Sequence, residues 1–175
     1  EVIGTLMPQP GQTIVDCTFG AGGHARRLAP SLGREGHYIA LDRDATIEPH
    51  FIAFTERVDC QTTLMLSDFS DSLHRLAEDG VTADGILMDL GLSSMQVDQP
   101  ERGFSYSRNA PLDMRMDSSQ PRSAADLLAE ASEEELTGWF RTYGEERYSR
   151  AIARAIVRRR EERPIASKCN LVEVI

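Results

Sequence analysis

Short apolar runs alternate with helical patterns through the first ninety residues. "TIVDC" (13–17), "HYIAL" (37–41), "TTLML" (62–66) and "DGILMDL" (84–90) are predicted strands, each short and rich in β-branched or other apolar side chains. "GGHARRLAPSL" (22–32) is a predicted helix with Pro30 near its end. "PHFIAFTER" (49–57) carries Pro49 at its first helical position, and "SDSLHRLAEDG" (70–80) is closed by Gly80. Strands alternating with helices imply an α/β fold with right-handed βαβ units and a parallel sheet. Such sheets bind ligands beyond the carboxyl ends of their strands.

The pattern changes near residue 91. Residues 91–123 contain Gly, Pro and Ser throughout and keep no steady period, so a long functional loop is expected. Helices follow. Ser123 with Asp126, and Ser132 with Glu135, are capping boxes that open two of them. Over 145–162, apolar residues at 148, 152, 155 and 156 fall on one helical face, and Pro164 ends the run. Ser167 caps a last helix. With no return to strands, the fourth strand is an apolar, unpaired sheet edge. The chain is therefore expected to be part of a longer one, or to pair with another chain, for instance as a homodimer.

Composition adds three points. An apolar content of 41% with 27% charged residues fits a globular protein, and no stretch approaches a membrane span. With no signal peptide and no cysteine framework, a cytoplasmic protein is expected. Cys17, Cys60 and Cys169 form no C-x-x-C pair and the four histidines are scattered, so no metal site is expected. The net charge of −9 hides an asymmetry: residues 1–140 carry 10 basic and 23 acidic side chains, residues 141–175 carry 9 and 5. A basic end on an acidic body is a footprint for a polyanion. All basic residues but Lys168 are arginine, which suits phosphate forks and base stacking, although genome composition alone produces the same bias.

Candidate chemistry gathers at the strand ends. In "DCTFGAGGHA" (16–25), Gly20, Gly22 and Ala25 fit the dinucleotide fingerprint G-x-G-x-x-G/A, and the same turn could serve S-adenosylmethionine. Gly20, Gly22 and Gly23 permit close backbone approach, and His24 in the first helical turn could donate to a carboxylate. The plain alternative is tight strand–helix packing. Asp42, twenty residues after Gly22, suits ribose hydroxyls but does not separate the two cofactors. Asp16 does: a carboxylate four residues before Gly20 suits a cationic ammonium or sulfonium and sits poorly beside a pyrophosphate. Asp68 could accept from an adenine amino group and Phe69 could stack on the base, although core packing explains Phe69 as well. Asp89, at the end of the fourth strand, could hold a target amine or orient the cofactor.

In order, "VDCTFGAGGHA", "ALDRDA", "DGILMDLGLSSMQVD", "ERGFSY", "PLDMRMD" and "TYGEERYSRAIARAIV" resemble the MraW-type small-subunit ribosomal RNA cytosine-N4 methyltransferases across residues 13–160. "PLDMRMD" and "YGEER" have no role in generic nucleotide folds. The resemblance implies a Rossmann-like class I methyltransferase sheet, with strands 1–4 present, and a helical inserted domain that recognises substrate. It implies a methyltransferase part over 1–100, an active-site or connecting loop over 101–122 and the start of the insertion over 123–175, with the family's C-terminal part absent. Cofactor residues carried over by motif are Gly22, Gly23, His24, Asp42, Phe69, Asp89 and Gln96; Gln96 and the particular role of Gly23 rest on the resemblance alone.

The expected activity is methyl transfer from S-adenosylmethionine to the exocyclic N4 amine of a cytosine in small-subunit ribosomal RNA, free or in a 30S-type subunit. Asp89 is the first candidate for holding the amine; Asp113 and Asp117 are alternatives, since the loop 91–117 could close over the base. Arg115, Arg154, Arg158, Arg159 and Arg160 are candidates for RNA phosphates, against the alternative of a solvated face next to Glu161 and Glu162. Two other functions compete. A nicotinamide oxidoreductase rests on Gly20, Gly22, Ala25 and Asp42 but leaves Asp16 and the long loop unexplained. A non-catalytic half-domain that binds RNA or a partner rests on the missing strands.

Overall fold

In a computed structural model that describes residues 2–105 and 109–175, the strands fall where their apolar runs end in polar groups. β1 (Thr13–Asp16), β2 (His37–Asp42), β3 (Gln61–Leu66) and β4 (Gly85–Leu87) form one parallel sheet in the order β3-β2-β1-β4. Asp16 pairs with Ala40 on one side and Leu87 on the other, which aligns the carboxyl ends of β1, β2 and β4. Strand alternation then divides the side chains. Val15, Cys17, Ile39 and Leu41 take one face, where Phe69, Leu73 and Leu76 of α4 (Phe69–Glu78) pack against them. Tyr38 takes the other face, against Phe54 of α3 (Glu48–Thr55). β4 is an edge, as its sequence implied, and Ile86, Met88 and Leu90 remain exposed beside it.

Two local expectations shift. The helix expected over 22–32 is only α2 (Ala25–Leu28) followed by a 3-10 turn over Ala29–Ser31. Pro30 lacks an amide to continue the α ladder, and Gly33 turns the chain with φ 62°. The fourth strand stops at Leu87 rather than residue 90, so Asp89 lies just beyond it. A short helix α1 (Val2–Leu6), invisible to periodicity, precedes the sheet. No helix among the described residues is long and apolar enough to cross a membrane.

The chain divides into two compact units, Glu1–Ser93 and Ser94–Ile175. The second is helical: α5 (Ser94–Asp98), α6 (Ala124–Glu130), α7 (Glu133–Thr142), α8 (Ser149–Glu162) and α9 (Lys168–Val172). Both capping boxes form as expected, and Ser167 caps α9. Leu112, Leu128, Leu136, Ala153, Ile156 and Ile165 make its core, with Trp139 and Phe140 packed against it. Residues of the expected connecting loop are built into this unit. Pro111 bridges to Ser167, Leu112 donates its amide to Ala166 O at 3.1 Å, and Ala110 O accepts from Lys168 at 2.9 Å. Gly103 is required there: it has φ 77°, and a Cβ would lie 2.6 Å from Pro111 O. Tyr106 of "ERGFSY" lies outside the described residues.

Ile156 is fully buried in this core, and its truncation removes packed apolar volume. Ile156→Ala is expected to cost about 2–5 kcal/mol and to lower the urea midpoint of the helical unit; a shift equivalent to under about 0.5 kcal/mol would contradict this core assignment.

Candidate active site

The loop leaving β1 is tied to the neighbouring strands at each step. Cys17 donates its amide to Leu87 O at 2.9 Å and Phe19 to Leu41 O at 3.2 Å. Between them the chain turns on glycine. Gly20 has φ 52° and Gly22 φ 73°, a region L side chains rarely adopt. A Cβ on Gly22 would come within 3.0 Å of the Phe19 ring. That ring is itself fixed, edge-on to Phe51 at 5.5 Å and Phe54 at 5.6 Å between centroids. Gly23 is exposed, with open space where a Cβ would stand. The glycines thus lay bare backbone over an aromatic floor.

Asp42 closes the turn from β2. Its Oδ2 accepts from the Gly20 amide at 2.8 Å, and its Oδ1 from the Asp44 amide at 3.0 Å. Asp89 closes it from β4: its amide donates to Thr18 Oγ1 at 2.9 Å, and its Oδ2 lies 3.2 Å from His24 Nε2. Asp89 is exposed and His24 and Asp42 are half-buried, so this rim faces solvent. A carboxylate has about four acceptor positions, so both aspartates keep capacity for a ligand's donors.

Asp16 has a different occupation from the one expected. It is 1% exposed, inside the sheet rather than on the rim. Tyr38 OH donates to its Oδ2 at 2.7 Å, and the Thr18 amide to its Oδ1 at 3.0 Å. Thr18 Oγ1 lies 3.5 Å from the same Oδ1. Burial pushes the Asp16 carboxyl above its ordinary range, against the opposing pull of the Tyr38 and Thr18 hydrogen bonds. Tyr38, wholly buried beside this carboxylate, is pushed up as well, so its proton stays in the hydrogen bond. Asp16 is linked to the rim through Thr18, whose hydroxyl accepts the Asp89 amide. Sequence reasoning missed Tyr38 and Thr18; a tyrosine within an otherwise apolar strand, in register near an acid, was the available signal.

Asp68 and Phe69 also have local work. Asp68 Oδ1 accepts from the Ser70 amide at 2.9 Å as the N-cap of α4, and its Oδ2 lies 3.3 Å from Arg43 Nη2. Phe69 is half-buried against the Val15 face of the sheet. The α2 helix behind the glycine turn is a single turn, too short to supply much of a helix dipole.

The remaining candidates belong to the helical unit. Gln96 is buried on α5. Asp113 and Arg115 bind each other through a two-pronged fork at 2.9 and 2.7 Å, and Arg115 Nη1 also donates to Gln120 O at 2.6 Å. The Arg115 guanidinium holds the Asp113 carboxyl below its usual range. Arg102, buried, donates to the carbonyls of Arg115 and Met116. "PLDMRMD" is thus a folded knot, with Asp117 accepting from Ser119. The arginines of α8 are mostly engaged as well. Arg154 pairs with Glu133 at 3.4 Å and Arg159 with Glu173 at 3.5 Å. Arg160 is structural, because its Nη1 donates to the Leu128 and Ala131 carbonyls at the end of α6. Arg158 is exposed.

A family model described as the MraW methylase family matches residues 1–175. The chain is 46% identical over 177 residues to a protein named ribosomal RNA small subunit methyltransferase H from Methylococcus capsulatus, covering all of this chain and 59% of that protein. It is 46% identical over 180 residues to a protein of the same name from Syntrophotalea carbinolica, covering 56% of it. The chain thus spans less than three-fifths of these relatives. A solved structure titled as a putative rRNA-methylase from Clostridium thermocellum aligns over 44% of this chain, with 21% identity and a TM-score of 0.34.

The raised Asp16 carboxyl has a sign that can be checked. The folded state holds this proton more tightly than the unfolded chain, whose value is near 3.8. The stability it contributes is full below that value and is lost as pH rises through the higher folded value. Urea unfolding of the wild type and Asp16→Asn across this window is expected to show a wild-type loss with rising pH that the variant lacks; parallel curves would contradict it.

Proposed function

Since the chain belongs to the MraW methylase family, we propose that it forms the cofactor-binding part of an S-adenosylmethionine-dependent enzyme that methylates the N4 amine of a cytosine in small-subunit ribosomal RNA. One observation carries the reading: the glycine turn is bracketed on a single open rim by two carboxylates, Asp42 through Gly20 and Asp89 through Thr18 and His24. The names of the long relatives support the RNA substrate.

The donor set suits the cofactor. When bound, S-adenosylmethionine supplies a methyl group activated on a sulfonium. Asp42 has acceptor capacity for ribose hydroxyls, and the exposed glycine backbone at Gly23 leaves room for the methionine end beside His24. A nicotinamide dinucleotide fits less well. Its pyrophosphate must approach the glycine backbone, yet here the Gly20 amide faces the Asp42 carboxylate, which sets negative charge against the turn.

The cytosine amine is a weak nucleophile because its lone pair is delocalised into the ring. The work left to the protein is alignment and management of a proton. Asp89 is exposed and tethered through its backbone to Thr18, so its carboxylate can accept an amine N–H without the tether breaking. His24, 3.2 Å away, orients that carboxylate.

In the full-length protein, Asp89→Ala is expected to lower methylation of small-subunit RNA at least about a hundredfold, as general acid–base contributions of this kind do. Mass spectrometry of that RNA, from cells lacking the gene and complemented with either form, is the measurement. Unchanged methylation with the variant removes Asp89 from the chemistry; unchanged methylation without the gene removes the activity.

A further inference from the structure

The segment "TYGEERYSR" (142–150) lies in the helical unit, and the structure makes it a fixed corner. Tyr143 is the C-cap of α7 and Tyr148 the N-cap of α8. The turn between them is closely specified. A Cβ on Gly144 would lie 2.8 Å from Phe140 O, so the chain can only pass there as glycine. Glu145 follows with φ 50°, in the left-handed region. Glu146 then closes the corner: its amide donates to Phe140 O at 3.0 Å, its carboxylate accepts the Tyr148 amide at 2.7 Å, and its carbonyl accepts the Ser149 amide at 3.2 Å.

What this corner displays is unusual for a solvent face. Tyr143 is 82% exposed and Tyr148 58%. The Arg147 guanidinium lies 4.6 Å from the centre of the Tyr148 ring. Arg141 and Arg147 have no carboxylate partner among the described residues, in contrast to Arg150 and Arg154, which share Glu133. Two exposed rings at a corner held by backbone on both sides, with the Arg147 guanidinium against one of them and Arg141 two residues before the other in the chain, match the chemistry that stacks on unpaired bases and contacts phosphate.

We infer that the α7–α8 corner is a stacking platform for an unpaired stretch of RNA, with Tyr143 and Tyr148 against bases and Arg141 and Arg147 on phosphates. This rests on the RNA-directed reading above. A duplex fits poorly, since its base faces are already stacked. The corner's own charge is small, because Glu145 and Glu146 offset two of Arg141, Arg147 and Arg150. Stacking, rather than counterion release, therefore carries the affinity. Two phosphate contacts give a salt slope of only about −1.4, at roughly −0.7 for each contact on a single strand.

Fluorescence anisotropy of this chain with a labelled, unstructured oligocytidylate of about twelve nucleotides tests the platform. The Tyr143→Ala/Tyr148→Ala pair is expected to weaken binding by at least about tenfold, since stacking on each ring is lost. The Tyr143→Phe/Tyr148→Phe pair keeps the rings and is expected to stay within about twofold. A duplex of the same length is expected to bind at least about tenfold more weakly than the single strand. The alanine pair should leave S-adenosylhomocysteine binding unchanged by calorimetry, which also reports that the chain is folded. Alanine variants that keep RNA affinity, a duplex that binds as tightly as the single strand, or a wild-type chain that binds no RNA would each overturn the platform. The two proposals fail separately: small-subunit RNA methylated normally without the gene removes the enzymatic reading while the stacking result stands, and an inert alanine pair removes the platform while methylation stands.

Discussion

The Asp16 carboxylate, sealed inside the sheet and gripped by Tyr38, is the interaction from which the rim is built. An ionised carboxylate taken out of water costs several kcal/mol unless its oxygens are satisfied. Here Tyr38 and the Thr18 amide supply donors to separate oxygens and offset part of that cost, hydrogen bonds to a charged group contributing about 1.5–3 kcal/mol each. Neither donor is free to move. Tyr38 is wholly buried, with its ring edge-on to Phe54 at 5.4 Å, so the aromatic core sets where its hydroxyl points. Thr18 is fixed in turn, and its own hydroxyl receives the Asp89 amide. Core packing is thereby converted, through a chain of directional bonds, into the position of an exposed carboxylate.

The glycine turn obeys the same core from the other side. Phe19 packs against Phe51 and Phe54, and Gly22 passes over its ring with φ 73°, where a Cβ would be strained and would press on the ring at 3.0 Å. One aromatic cluster thus supports the floor of the turn through Phe19 and the Asp16 clamp through Tyr38. Asp42 joins the two by receiving the Gly20 amide at the end of the strand that carries Tyr38. A ligand on this rim would meet groups preorganised by packing rather than by flexible side chains, which lowers the entropic cost of binding.

Much of this was legible in the residues. Four strands, their parallel pairing, both capping boxes and the exposed fourth edge follow from period and end signals, and "PLDMRMD" and "YGEER" led to the family that the whole chain matches. The rest was hidden for physical reasons. Whether an aspartate at a strand end faces ligand or core depends on pleat direction and on a partner 22 residues away in the next strand; only the fold brings Tyr38 to Asp16. The Asp113–Arg115 fork needs the positive φ of Met114 between them, which no pattern announces. Arg160 reads as one of several solvated arginines until α6 ends its carbonyls beside it. The short α2 follows from Pro30, whose breaking effect outweighed the helical pattern around it.

A buried hydroxyl thus sets the geometry of a surface site, and calorimetry tests that dependence. S-adenosylhomocysteine and NAD would be titrated into the chain and into Tyr38→Phe, with circular dichroism as the check on folding. The wild-type chain is expected to bind S-adenosylhomocysteine and not NAD, and Tyr38→Phe, at a position 0% exposed and unable to touch a ligand, is expected to weaken that binding several-fold with the fold retained. Equal affinity in the folded variant, or a preference for NAD, would contradict it.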